Sequence, residues 1–333
     1  MRILTLLALA GMICVSESLA QEKNKEKPKP PARIAIRDVA EAKKDLDFAI
    51  QGEYVGKDPK EGPLAAQVIA RGNGKFQVRI LTGGLPGAGW DGKTQKRGSA
   101  HSDNGSVVLD GGLEGTISNG TLTYKGIALK QVHRTSETLG KKAPEGATVL
   151  FAQESDVDKW NDAQAVKLSD GTFLACKPGK NILSKATFKN FNMHLEFRLA
   201  WMPNSNGQGR SNSGLYLQNH YECQILDSFG LKGENNECGG FYTQYAPLVN
   251  MCLPPLTWQT YDIEFTAAVF DENGKRIKPA RATVYHNGVK VQDNVELKGP
   301  TPGGSKEENK PGPIHLQWHG DPLIYNNIWV KEQ

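Results

Sequence analysis

The chain predicts an all-β protein in two parts, a small antiparallel β domain followed by an antiparallel β-sandwich, and three observations carry this expectation. Its 333 residues include 36 Gly and 18 Pro spread through the sequence, which cut it into short runs. Asn73-Gly74, Asn119-Gly120 and His286-Asn287-Gly288 stand between such runs and signal hairpins, because a type I′ turn needs positive φ at both central positions. Long stretches of helical periodicity are almost absent.

Met1 to Ala20 has a charged start at Arg2, an apolar run from Ile3 to Val15 and the small-residue exit Ser18-Leu19-Ala20, the form of a cleaved secretory leader. The expected location is therefore exported, periplasmic or extracellular in a bacterium. Ile13 stands before Cys14 where a lipid-anchoring signal needs a small residue, and no later apolar run is long enough to cross a bilayer. Residues 21–33 hold four Lys and one Arg against two Glu, with Pro28, Pro30 and Pro31 among them, and read as a disordered tether. That segment carries +3 of the net charge of +4, so the rest is near neutral. A nucleic-acid surface needs a basic patch on a folded face, and none is legible.

Residues 34–138 read as the small β domain. Strands are expected at Phe48–Val55, Ala65–Arg71, Lys75–Leu81, Ser106–Leu109, Gly115–Ile117, Thr121–Tyr124 and Ala128–Val132, after a short helix within Ile36–Leu46. The glycine-rich run from Gly83 to Trp90 lacks the Lys-Ser or Lys-Thr of a phosphate loop and reads as structural, with Trp90 partly buried. Residues 139–146 form a linker. From 147 to 333 about ten longer, more apolar strands follow with no helix between them, which predicts two sheets packed face to face. Cys176, Cys223, Cys238 and Cys252 remain after the leader; Cys238–Cys252 brackets one loop and is the first candidate for a bridge, with four free thiols as the alternative.

Within this second part, Tyr221 to Asp227 carries Glu222, Gln224 and Asp227. Side chains two apart on a strand share a face, so Glu222 and Gln224 point into one space while Asp227 falls on the other face unless the strand has ended at Ser228-Phe229-Gly230. Alternation alone leaves open whether that space is a groove or bulk solvent. Asn212, Tyr216, Tyr242, Gln244, Gln317 and His319 complete the polar clusters.

The runs Ser211–Tyr216, Tyr221–Asp227, Gly240–Pro247, Trp258–Asp262 and Leu316–Gly320 together resemble the 3-keto-disaccharide hydrolase family over about residues 147–333. The resemblance implies a concanavalin-like jelly roll with a carbohydrate groove, a glycoside oxidised at C3 as substrate, cleavage by elimination and hydration, and in some members a divalent metal. Where the family pattern leads one to expect Phe-Arg-Asn-Ile-Trp, this chain reads Tyr325-Asn-Asn-Ile-Trp329, so Asn326 replaces an Arg.

The chemistry can be checked against the residues. A C3 ketone acidifies the C2 proton; a base removes it, the enolate expels the C1 substituent and water adds back. Glu222 is the candidate base or metal ligand, and His319 the candidate acid, enolate stabiliser or ligand. Asp227 is the third catalytic candidate. Asn212, Tyr216, Gln224, Tyr242, Gln244 and Gln317 are candidate substrate contacts. Trp258 and Trp329 read as core aromatics. Two alternatives stand beside this reading: a non-catalytic carbohydrate-binding protein, and an ordinary retaining glycoside hydrolase. The second needs two facing carboxylates, and Gln224 occupies the place where one would be expected.

Overall fold

The computed structural model describes residues 33–333, so the expected leader and all of the tether except Arg33 lie outside the described residues. The described part is all-β apart from short helical turns, and Ile34–Gln333 form one compact unit. No helix among the described residues is long and apolar enough to cross a membrane.

The chain enters through two single-turn helices, α1 (Val39–Ala42) and α2 (Leu46–Ile50), each started by an aspartate side chain that accepts a backbone N–H, Asp38 from Ala40 and Asp45 from Asp47. The second cap starts a helix where a strand is expected. Phe48–Ile50, expected as strand, is helical, and the first strand begins only at Gly52.

Eight strands then run as an antiparallel meander: β1 (Gly52–Asp58), β2 (Gly62–Ala70), β3 (Lys75–Thr82), β4 (Gln95–Asp103), β5 (Ser106–Asp110), β6 (Gly115–Ser118), β7 (Thr121–Tyr124) and β8 (Ile127–Val132). Pairing of β8 with β1 closes them into a barrel, which removes the exposed edges an open sheet would leave. Asn73-Gly74 and Asn119-Gly120 adopt positive φ at both positions, as the turn chemistry requires. Strand β4 was not legible. Its sequence is polar and buries only Ala100, and it is held by ladders to β3 and β5 rather than by an apolar face. The Gly83–Trp90 run is a structural loop in which the Trp90 indole donates to Thr94 O and lies under the Arg79 guanidinium.

The remaining strands are β9 (Thr148–Phe151), β10 (Trp160–Asn161), β11 (Ala163–Leu168), β12 (Gly171–Cys176), β13 (Ile182–Phe188), β14 (Phe191–Arg198), β15 (Ser213–Leu217), β16 (Tyr221–Ile225), β17 (Trp258–Thr266), β18 (Val269–Phe270), β19 (Arg276–Lys278), β20 (Ala280–His286), β21 (Val289–Leu297), β22 (Gly312–Leu316) and β23 (Ile324–Glu332). A five-stranded sheet has the order β10-β13-β22-β15-β16; an eight-stranded one has β11-β12-β23-β14-β17-β20-β21 with β9 on β23. Their facing sides supply the main core, to which Leu215, Leu217, Tyr221, Cys223 and Ile225 contribute from the smaller sheet and Phe191, Met193, Leu195 and Phe197 from the larger. All four cysteines are free and buried in this part of the chain. The Cys238–Cys252 bridge is not formed: Cys238 Sγ is hydrogen-bonded to the Tyr261 hydroxyl, and both thiols pack as small hydrophobes.

Barrel and sandwich exchange core residues. Trp201 and Leu256 of the sandwich belong to the barrel's apolar cluster, whereas Ile69 of β2 belongs to the sandwich core. Burying an indole removes roughly 200 Å² from water, on the order of 5 kcal/mol of apolar stabilisation at the usual area coefficient.

Candidate functional site

The outer face of the smaller sheet, turned away from the larger one, carries a pocket. Strands β15 and β16 pair with Tyr216 opposite Glu222 and Gly214 opposite Gln224, and these even-numbered residues face outward because their odd-numbered neighbours fill the core. Gln208, Asn212, Glu222, Gln224, Tyr242, Pro302, Gly303, Gln317 and His319 surround a cavity of about 230 Å³. Strand β16 is an edge, and the 239–242 loop covers it: Gly240 O accepts from Gln224 N, Gln224 O accepts from Gly239 N, and Glu222 O accepts from Tyr242 N.

Glu222 is 3% exposed and lies over Gly214; a Cβ added there would come within 2.8 Å of the carboxyl carbon. Position 214 must therefore be glycine for the carboxyl to sit where it does. Burial pushes Glu222 up to about 7, and the neighbouring Tyr216 hydroxyl offsets this only in part. Tyr216 itself is raised by burial and by the nearby Glu222 carboxyl. Its ring stacks on His315 with centroids 4.4 Å apart, its hydroxyl donates to Pro302 O at 2.9 Å, and Gln317 Nε2 donates to that hydroxyl at 3.1 Å. Gly303, at φ +83°, brings the 301–304 turn against this hydroxyl, where a side chain would be 2.7 Å away.

Opposite stands an amide wall. Asn212 Nδ2 donates to Gln208 O at 2.8 Å and to Gln208 Oε1 at 3.3 Å, Gln224 Nε2 donates to Gln208 Oε1 at 3.2 Å, and Gln208 Nε2 donates to Asn236 O at 2.7 Å. Asn212 Oδ1 is buried without a hydrogen-bond partner in the structure, an acceptor available beside the cavity. His319 lies on the rim and is exposed.

The structure thus brings together Glu222, His319, Asn212, Gln224, Tyr242 and Gln317, with Tyr216 directly behind Glu222. Two candidates lie elsewhere. Asp227 is past the end of β16, 1% exposed, and accepts from Arg210 Nε at 2.6 Å and from Phe229 N at 3.2 Å; the strand's end turns it into this ion pair and away from the pocket. Gln244 is spent on the 298–299 backbone, donating to Gly299 O and accepting from Lys298 N. Gln208 and the Pro302-Gly303 turn were missed. Both come from segments outside the strands, where no periodicity reports a direction.

Asn326 lies on β23 in the larger sheet, opposite Glu196, and does not line the pocket. Trp258 and Trp329 sit outside the central core: Trp258 packs on Phe173 and Arg198, Trp329 on His194. Among the described residues no group of three or more His, Cys, Asp or Glu side chains gathers to hold a metal ion. Glu222 and His319 alone fall short of the three protein ligands typical of a catalytic zinc.

Residues 146–331 match the family described as the 3-keto-alpha-glucoside-1,2-lyase-like domain. The chain belongs to this family. Among solved structures, a provisionally assigned glycosyl hydrolase from Parabacteroides distasonis ATCC 8503 is 35% identical, with a TM-score of 0.51 over 57% of this chain and 85% of that one. A second such protein from the same organism is 21% identical, with a TM-score of 0.39 over 57% of this chain and all of the other. No curated protein matches. The 3-keto-alpha-glucoside-1,2-lyase-like match takes in the whole pocket and begins after the barrel has ended, so it leaves the barrel unaccounted for.

Proposed function

We propose that the pocket cleaves glycosides oxidised at C3 of the sugar ring, with Glu222 as the base that removes the C2 proton. One observation carries the reading: Glu222 is a buried carboxyl in a cavity with no Lys or Arg among its lining residues, and burial holds its proton affinity near neutrality. A base is most effective when its pKa lies near the working pH. Membership of the 3-keto-alpha-glucoside-1,2-lyase-like family supports the substrate class, and the neutral amide lining suits an uncharged sugar.

In this reading the Glu222 carboxylate takes the C2 proton, and the electron pair moves onto the C3 oxygen. A donor elsewhere on the cavity lining, the Tyr242 hydroxyl or the second N–H of Gln317 Nε2, receives that oxygen. The enolate then collapses to a C1–C2 double bond while the C1–oxygen bond breaks, and the departing oxygen takes a proton from His319 on the rim or from water. Water adds at C1 and the proton held by Glu222 returns to C2, so the net change is hydrolysis. Facing-carboxylate hydrolysis finds no support, because Glu222 is the sole carboxylate lining the cavity among the described residues. The leader-like first twenty residues extend the proposal to an exported enzyme.

The test is turnover of 3-keto-trehalose carrying deuterium at C2 of the oxidised ring. Release of glucose with a primary isotope effect, lost in Glu222→Gln, is the expected result. Cleavage of unoxidised trehalose at an equal rate would overturn the reading, as would saturable sugar binding with no turnover.

A further inference from the structure

The barrel lies outside the family match, yet it grips the segment that forms one wall of the pocket. That segment, residues 202–212, leaves the sandwich after Trp201 and returns at β15 carrying Gln208 and Asn212. Its other side is held at three places by the barrel and the chain that leads into it. Ile36 and Trp201 exchange backbone hydrogen bonds at 3.0 and 2.7 Å, and Phe48 meets the Trp201 ring edge-on. Ile34 N donates to Asn204 Oδ1 at 3.2 Å, and Gly72 of the β2–β3 turn packs against Asn204. The third contact is buried and polar.

Gln51, 5% exposed at the end of α2, places Oε1 between Ala70 N of the barrel at 3.0 Å and Arg210 Nη2 of the segment at 3.3 Å. Arg210, 3% exposed, donates through Nε to Asp227 at 2.6 Å, and its carbonyl accepts from Asp227 N at 3.2 Å. Arg71, at the end of β2, stands close enough to feel the charges of both. Arg210 is two residues from Gln208 and two from Asn212, so the backbone that aims those amides is fixed by a guanidinium whose acceptors come from the barrel on one side and the sandwich on the other. A guanidinium presents donors in a rigid fork, which makes it suited to hold two partners in set directions.

We infer that the barrel is a positioning part of the pocket: Gln51, through Arg210, holds the 202–212 segment so that Gln208 and Asn212 form the wall opposite Glu222. Gln51 and Arg210 are positioning residues, since neither lines the cavity. Asp227 thereby acquires a role that its place on the strand does not suggest, as the sandwich-side anchor of Arg210.

The kinetic arm of the test rests on the 3-keto-glycoside reading; the structural arm does not. In full-length Gln51→Ala, hydrogen–deuterium exchange over 202–212 is expected to quicken on the order of tenfold, with β11 and β12 unchanged as the internal control. KM for 3-keto-trehalose should rise about five- to tenfold, with kcat within about twofold, because the wall binds substrate without entering the chemistry. Gln51→Glu, which keeps an acceptor for both Ala70 N and Arg210, should restore both readouts. Arg210→Lys, which keeps the cation beside Asp227 and loses the fork, gives the same readouts if Gln51→Ala does not fold. Exchange over 202–212 equal to wild type in a folded Gln51→Ala or Arg210→Lys protein overturns the inference. A wild-type protein that leaves 3-keto-trehalose intact overturns the 3-keto reading alone, with the exchange arm still deciding for the barrel.

Discussion

The outer faces of the two sheets each bury carboxyl groups, and they treat them in opposite ways. On the larger sheet, His194 lies between Asp262, 3.0 Å from Nδ1, and Glu196, 3.4 Å from Nε2. Lys141 Nζ reaches Asp262 at 2.8 Å, Gly140 N and Asn327 Nδ2 donate to Glu196 at 2.7 and 2.8 Å, and the Trp329 ring stacks on the imidazole. Burial works against each charge there, but the partners outweigh it: His194 is raised, and Asp262 and Glu196 are lowered. On the smaller sheet Glu222 has one phenol and no cation, and it is raised. The cluster beneath residues 138–141 borders a larger cavity, about 470 Å³ against about 230 Å³, yet each of its charges has an opposite charge beside it, with Asp262 Oδ2 a buried carboxylate oxygen there that lacks a hydrogen-bond partner. Uncompensated burial marks the candidate for chemistry; cavity size does not.

Removing the isolated carboxyl should have the largest effect. Glu222→Gln is expected to lower kcat on 3-keto-trehalose by about 10²–10⁴-fold, the usual contribution of a positioned base. The same variant should be more stable than wild type above neutrality. The folded carboxyl has its pKa raised from 4.5 to about 7, so the folded state holds the proton longer and wild-type stability falls as pH rises through that window. The penalty, on the order of 3 kcal/mol at most, should appear in chemical denaturation at pH 8 and vanish near pH 4. A Glu222→Gln protein less stable than wild type at pH 8 would break the contrast between the two faces.

The paired cluster should respond the other way. Asp262→Asn is expected to cost about 3–5 kcal/mol, the range for breaking a buried pair, with kcat and KM unchanged. A loss of activity in a folded Asp262→Asn protein would mean that the second face also does chemistry. Its pH dependence has two limbs. His194, raised, contributes stability that is complete below its ordinary value of 6.5 and is lost as pH rises through its folded value; Asp262 and Glu196, lowered, contribute stability that is complete above 3.8 and 4.5 and is lost as pH falls through theirs. Denaturation midpoints of wild type minus Asp262→Asn across pH 3–9 should trace a dome.

Smaller changes sharpen the pocket itself. Gly214→Ala puts a methyl group into the space of the Glu222 carboxyl and should lower kcat about 10- to 100-fold, the scale of a displacement near 1 Å, and cost about 1–3 kcal/mol in thermal unfolding as the buried side chain is pushed aside. His319→Ala, on the exposed rim, should cost about tenfold or less, since water can supply the proton; a burst of product in rapid-quench kinetics would separate its effect on cleavage from one on release.

Much of this protein is determined by local sequence. Asn-Gly pairs fix turns because few other residues accept positive φ, and alternation in Leu215–Leu217 and Tyr221–Ile225 already assigns Glu222 and Gln224 to one face. The ordered motifs from Ser211 to Gly320 identify the family. Local rules failed where the partner lies far along the chain. Strand β4 has no apolar face to announce it and exists because two neighbours offer ladders. Asp227 could be placed in or out of the groove until the strand's end turned it onto Arg210, and Gln208 could not be found because a loop has no period. Whether the space over Glu222 was solvent or a lined cavity depended on the 301–304 turn and the 202–212 segment, residues from both sides of it in sequence. Burial without a counter-charge is a property of everything packed around a group, which is why the residue could be named from the sequence and its raised proton affinity only from the fold.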